Sequence, residues 1–266
     1  PASCTARTRG LRMELRWAGE GTGSTAEHGP WAHHLVLALG RVGAHHELLE
    51  GGKVLCWGRN DWGQTGGGTR SKTAKPTMVI GLDDAVHIAA GTWHTCAVRK
   101  TGEVRCWGSD GYGRLGWGAK GSSPVPVPVS GLKTAVAVEC GAYHTCTLTS
   151  TDTVHCWGRN QYGQLGDGST KNRSKPVQVL DLGPARDLAV GLYHSCVIRV
   201  DGVVRCWGRA GKGGLGGKPK SGSFSSSPLT VAGSGAIDLP TCKGASDCGA
   251  GGPCHGFVCK SGQCKS

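Results

Sequence analysis

The chain has 266 residues, and its 30 lysines and arginines against 18 acids give a formal charge of +12. That length holds one large domain and a tail, and the longest notable apolar run, Leu35 to Leu39, is far too short for a membrane-spanning helix. The charge is spread through loops without a run of five, so it reads as a solvated basic surface or as a preference for acidic partners, anionic polysaccharide or lipopolysaccharide.

Residues 1–42 fit none of the patterns that follow. The stretch has neither an initiator Met nor a charged-then-apolar leader, and it reads as an irregular segment from a misread frame or a truncated gene. From Gly43 the chain becomes periodic. Cys-Trp-Gly recurs at Cys56, Cys106, Cys156 and Cys206, carrying Trp57, Trp107, Trp157 and Trp207, a period of 50 without drift. A fixed period of this size marks a repeat architecture. The first copy is damaged: His46 precedes Cys56 by ten residues, where His94 precedes Cys106 by twelve. This leaves Cys56 without a counterpart cysteine.

One unit can be taken from Thr77 to Gly118. Short apolar runs cover Thr77–Ile80, Ala85–Ala90, Trp93–Arg99 and Glu103–Trp107, separated by small or Gly-rich breaks. These are strand lengths and strand spacings, and the glycines oppose helical repeats. Four strands per repeat describe a propeller blade. The fold class is therefore all-β, a β-propeller of four-stranded blades of about 50 residues in a partial or fragmentary ring over 43–240. The third and fourth strands form a hairpin that places Cys96 opposite Cys106 and Val98 opposite Val104, with Gly102 in the turn. The same ten-residue separation links Cys146 to Cys156 and Cys196 to Cys206. A disulfide across each hairpin is expected, because directly opposite residues lie at a distance such a bond tolerates. Buried free thiols are the alternative.

After each tryptophan comes a Gly-rich loop such as Gly158–Gly166. It opens no helix and recurs in every unit, so close backbone packing explains it better than a phosphate cradle. His94, His144 and His194 recur at one position, with His46 as their counterpart. Equivalent positions in different blades are too far apart to share one metal ion, so a structural hydrogen-bonding role is expected and neither metal nor cofactor is. The residues just before them are Trp93, Tyr143 and Tyr193, with His45 in the damaged copy. They lie at the junction of the second and third strands and should share one face, as a binding surface or as packing between blades. Trp62, Tyr112 and Tyr162 also recur, but their glycine-flanked setting favours packing. No catalytic triad or paired acids stand apart from the repeat, which argues against an enzyme. Beyond Thr241, Cys242, Cys248, Cys254, Cys259 and Cys264 crowd a Gly-rich tail, 241–266. This reads as a small disulfide knot rather than a zinc ribbon. Five is odd, so Cys4, Cys56 or Cys140 is expected to take the leftover.

The pattern G-x-x-H-[TS]-C, then G-x-V-x-C-W-G, then G-Q-L-G-x-G and a Pro-Val strand, resembles the repeats of the regulator of chromosome condensation family. In the second copy His94-Thr95-Cys96, Val104, Trp107-Gly108, Gly113, Leu115-Gly116 and Pro126-Val127 carry it. The resemblance implies a β-propeller, seven-bladed in the best-known members, and the present units are too few for that ring. Pro228 also sits two residues late in the last unit. The paired cysteines look like those of secreted bacterial members, which include a propeller that inhibits β-lactamase. The expected function is a secreted or cell-surface, non-catalytic module that binds protein or glycan. The alternatives are a guanine-nucleotide exchange factor or chromatin binder, as in the nuclear member, an enzyme inhibitor, and a carbohydrate-active enzyme. Fourteen cysteines favour an oxidising compartment, so a nucleic-acid partner is not expected.

Overall fold

The computed structural model describes residues 4–8, 11–15, 44–217, 223–234, 258–260 and 263–265. Two compact units divide the chain: Pro1–Ala32 with Gly235–Ser266, and His33–Ser234. In the first, β1 (Cys4–Thr8) pairs antiparallel with β2 (Leu11–Leu15).

The second unit is a series of antiparallel sheets. The first sheet has β3 (Ala44–Leu48), β4 (Val54–Asn60) and β5 (Ser71–Met78). The second has β6 (Ala85–Ala90), β7 (His94–Arg99), β8 (Val104–Gly108) and β9 (Ser123–Pro128). The third has β10 (Ala135–Cys140), β11 (His144–Thr149), β12 (Val154–Gly158) and β13 (Arg173–Gln178). The fourth has β14 (Ala185–Val190), β15 (His194–Arg199), β16 (Val204–Arg209) and β17 (Phe224–Thr230). In the other unit β18 (Val258–Lys260) pairs with β19 (Gln263–Lys265), setting Cys259 in register with Cys264. Cys242, Cys248 and Cys254 lie outside the described residues.

Within each full sheet the strands follow one another in chain order. β6, β10 and β14 neighbour one another across sheets, and β9, β13 and β17 form the free edges. Side chains follow that position. All six residues of β11 are buried, because neighbouring sheets cover both of its faces. The edge strand β13, Arg-Ser-Lys-Pro-Val-Gln, contains no fully buried residue. Pro76, Pro126, Pro176 and Pro228 all fall in these last strands, where a missing N–H costs no ladder bond.

That placement changes the phase of the repeat. The Thr77 strand closes the first sheet, with Thr77 opposite Cys56, and does not open the second. Pairing resumes in the same register in the fourth sheet. Leu229 stands opposite Cys206 as Val177 stands opposite Cys156, so the two extra residues before Pro228 are absorbed in the preceding loop.

The hairpins have the register the spacing predicts, with Cys96 opposite Cys106 and Val98 opposite Val104. Disulfides join Cys96–Cys106, Cys146–Cys156 and Cys196–Cys206, each with Cα atoms 4.1 Å apart. Cys56 and Cys140 are free and buried in the sheet cores, so neither meets the expectation that it pairs with the tail. Burial pushes both thiols well above their ordinary pKa. Trp107, Trp157 and Trp207 are fully buried, each packed with core residues of the sheet before it. Trp157, for example, lies with Cys96, Val98, Val104 and Cys106.

Candidate interaction face

Strand direction decides which loops share a face. The β6–β7 connection (residues 91–93) and the long β8–β9 loop (109–122) emerge at the same end of the second sheet, while the β7–β8 hairpin turns at the other end. The third and fourth sheets repeat this. Trp93, Tyr143 and Tyr193 therefore share a face with Tyr112 and Tyr162.

Beneath that face, each sheet is latched to the next. Nε2 of His94 lies 2.7 Å from Oγ1 of Thr145 in the third sheet. The Thr145 hydroxyl donates to the Arg114 carbonyl at 3.0 Å, and Trp157 Nε1–H donates to the same oxygen at 2.9 Å. Its one proton spent, Thr145 can only accept from histidine, so Nε2 carries the hydrogen and Nδ1 a bare lone pair. Nδ1 is buried without a donor in His46, His94 and His144. Burial accordingly holds the imidazoles neutral, with the pKa of His46 and of His144 lowered to about 3. The same latch joins His144 to Ser195, Gln164 and Trp207, and His46 to Thr95, Gln64 and Trp107. His194 is half-buried, and among the described residues no hydroxyl answers it.

The damaged copy departs from expectation here. Gly58 is opposite Ala44, as Gly108 is opposite His94, so His46 occupies the register position of Cys96, opposite Cys56. Its ring still reaches the hydroxyl of the next sheet. His45 consequently sits in the place of Thr95, not of Trp93, and stacks on Trp57 at 5.6 Å. Trp57 is half-buried, unlike its three buried counterparts.

On the face itself the rings form a connected array. Tyr143 and Tyr193 stack at 5.9 Å. Tyr112 meets Tyr143 edge-on at 5.8 Å, and Tyr162 meets Tyr193 likewise at 5.8 Å. Guanidiniums cover the rings. Arg59 lies 4.5 Å over Trp93, and Arg114 lies 4.9 Å from the centre of Tyr143. Arg159 lies 4.8 Å over Tyr112 and 5.1 Å from Tyr143. Arg209 lies over Tyr162 and Tyr193. Trp93, Tyr143 and Tyr193 are half-buried, so each still reaches solvent. Tyr112 is 48% exposed and Trp62 43%, against the packing role their glycine-flanked setting suggested. The arginines were missed in the sequence. The signal was there, in the Cys-Trp-Gly-Arg of three copies and in Arg114 standing where Gln64 and Gln164 stand.

Two other clusters lie off the face. His94, Cys96 and Cys140 bring ligand-type atoms within 4.8 Å of one another, but the Cys96 sulfur is bonded to Cys106 and His94 Nε2 is engaged with Thr145. On the neighbouring strands β10 and β14, burial and then Asp187 raise the Glu139 carboxyl to about 7.

The profile of the regulator of chromosome condensation (RCC1) repeat matches residues 51–98, 101–148 and 151–198, more than half of the chain. A second profile of the same repeat matches 85–114, 135–164 and 185–213. A segment of 60 residues is 43% identical to the human E3 ubiquitin-protein ligase HERC2, covering 21% of this chain and 1% of that protein. Among solved structures, yeast RCC1 (Prp20) in complex with Kap60 superposes with a TM-score of 0.66 at 18% identity, over 83% of this chain and 51% of that one. Human WBSCR16 gives 0.62 at 24% identity, over 73% and 52%. The chain thus spans about half the length of these solved structures.

Proposed function

The chain belongs to the regulator of chromosome condensation (RCC1) repeat family, and from that premise we propose that it is a non-catalytic, secreted or cell-surface module that holds a protein ligand on its aromatic–arginine face. The propeller fold supports a protein-binding module. The observation that carries the finer reading is the stacked pair Tyr143–Tyr193, with Trp93 on the same face, each ring covered by an arginine and reaching solvent. Trp, Tyr and Arg are the residues that most often dominate binding energy at protein interfaces. Three cross-strand disulfides support the extracellular setting, since reducing cytosol keeps thiols open. Yeast Prp20p, a solved relative, has binding properties toward Gsp1p and histones, but 18% identity carries the fold and not those partners.

The test is a random-peptide display selection on the wild-type protein, with captured clones then assayed on the W93A/Y143A/Y193A variant. Clones that lose binding to a variant of unchanged melting temperature support the face. Clones that bind both proteins equally contradict it.

A further inference from the structure

The face described above leaves the chemistry of its partner open, and its charges narrow it. Comparing equivalent positions between sheets shows what is unusual. Gln64 and Gln164 each turn Oε1 back to accept the loop N–H of Trp62 and Tyr162, at 2.8 and 2.9 Å. In the second sheet Arg114 takes that place. It is 3% exposed, and it donates from Nε to Gly111 O at 2.8 Å and from Nη1 to Ala142 O at 3.2 Å. Among the described residues no carboxylate lies within ion-pair distance of it. Arg159 approaches the same Tyr143 ring and finds only the neutral Gln161 amide. Arg209, over the stacked Tyr193, also has no ion pair among the described residues. Arg59, by contrast, is paired with Asp61.

Two guanidiniums set around one ring, one of them buried, repel each other, and Asp110, whose carboxylate Arg114 feels, stays beyond ion-pair distance with its oxygens accepting from Leu115 N–H and Trp117 Nε1–H. A carboxylate arriving between them would meet charge-assisted hydrogen bonds in a poorly solvated place. Desolvation lowers the Arg114 pKa to about 10 against the opposing pull of Tyr143, Asp110 and Tyr112, and Arg159 adds least. The guanidiniums also lie over the ring faces, so the surface offers N–H edges rather than bare rings for a sugar to stack on. Spacing favours a peptide. Arg159 and Arg209 lie over the stacked rings of Tyr143 and Tyr193, and side chains at i and i+2 of an extended strand point the same way about 6.6 Å apart, so a strand laid along the rings can present an acid to each.

We propose that Arg114 and Arg159, around Tyr143, hold a carboxylate of an acidic peptide segment, and that Arg209 takes a second carboxylate two residues along the same strand. This rests on the binding-face reading. It makes the partner's docking element an Asp- or Glu-rich extended stretch.

The probe is a fluorescein-labelled decamer of glutamate, titrated by anisotropy. The variant is R114Q/R159S, which installs the residues this chain already carries at the equivalent positions Gln64, Gln164 and Ser109, so its melting temperature should match wild type. The control K72Q/K75Q removes the same charge from two exposed lysines of the first edge strand. The proposal expects saturable binding to wild type, at least tenfold weaker binding to R114Q/R159S, and a change below twofold in the control. Absence of binding, equal weakening by both variants, or tighter binding of a polyuronate oligosaccharide would each overturn it. If display clones depend on Trp93, Tyr143 and Tyr193 while the glutamate decamer does not bind, the face stands and the acidic partner falls.

Discussion

A histidine, a hydroxyl and a tryptophan meeting at one carbonyl show how a single residue position holds this protein together. Thr145 both accepts from His94 and donates to the Arg114 carbonyl. T145V leaves the imidazole N–H buried without a partner, and an orphaned buried donor costs about 1–3 kcal/mol. Chemical denaturation should show that loss, and T151V, at an exposed hairpin tip, should show almost none. The latch histidines also set a pH dependence. Their folded pKa lies below the unfolded value near 6.5, so the unfolded chain gains protons first and stability falls as pH drops from about 6.5 towards 3. By pH 5 His46 and His144 should each have cost about 2 kcal/mol, and His94, lowered by the same burial, acts in the same direction. Glu139 acts oppositely: its raised pKa means that stability is lost as pH rises from about 4.5 to about 7. Asp110, also raised by burial, acts with Glu139, while His87, His155 and His194, lowered by burial, add to the latch histidines, so melting temperature should fall between pH 7 and pH 5. A flat or rising profile would contradict the latch.

At the scale of the hairpin, sequence spacing was a sufficient guide. Equal separations of ten fix the register, because a one-residue slip would turn every side chain to the other face. Cys146 opposite Cys156 follows. C146A/C156A should lose about 2–3 kcal/mol on the loop-entropy estimate, seen as a lower denaturation midpoint. Glycine provides a second test. Gly108 has φ +99, and a Cβ there would lie 2.7 Å from the Trp93 carbonyl oxygen, so G108A should destabilise by more than the roughly 1 kcal/mol that Gly-to-Ala changes usually move. Other features were hidden for physical reasons. The Pro-bearing strand pairs backwards to the tryptophan strand, and period alone cannot choose where a unit starts. The two-residue deletion before Cys56 moves His46 onto the cysteine position, and only the pairing of Ala44 with Gly58 reveals it. Tyr112 and Tyr162 looked like loop packing because glycines flank them, yet their edges meet Tyr143 and Tyr193.

For the whole molecule, among the described residues, the second, third and fourth sheets present their β6–β7-type connections and Gly-rich loops on one face and their hairpin turns on the other, and the first sheet adds its Gly-rich loop and hairpin turn. The sequence made the propeller and the recurring aromatics legible. It did not make the arginine cover legible, because a guanidinium over a ring joins residues far apart in the chain, within a sheet for Arg159 and Tyr143 and in neighbouring sheets for Arg59 and Trp93 or Arg159 and Tyr112. The extracellular reading predicts that thiol counting under denaturing, non-reducing conditions finds the six hairpin cysteines unreactive; free thiols at all six would remove its support. The central claim is that ligand is held on the aromatic–arginine face. Hydroxyl-radical footprinting, with and without a peptide selected on the wild-type protein, tests it most directly. The account predicts that protection falls on Trp93, Tyr112, Tyr143, Tyr162 and Tyr193. Protection confined to the hairpin turns at residues 100–103, 150–153 and 200–203, with those rings as reactive as before, would contradict it.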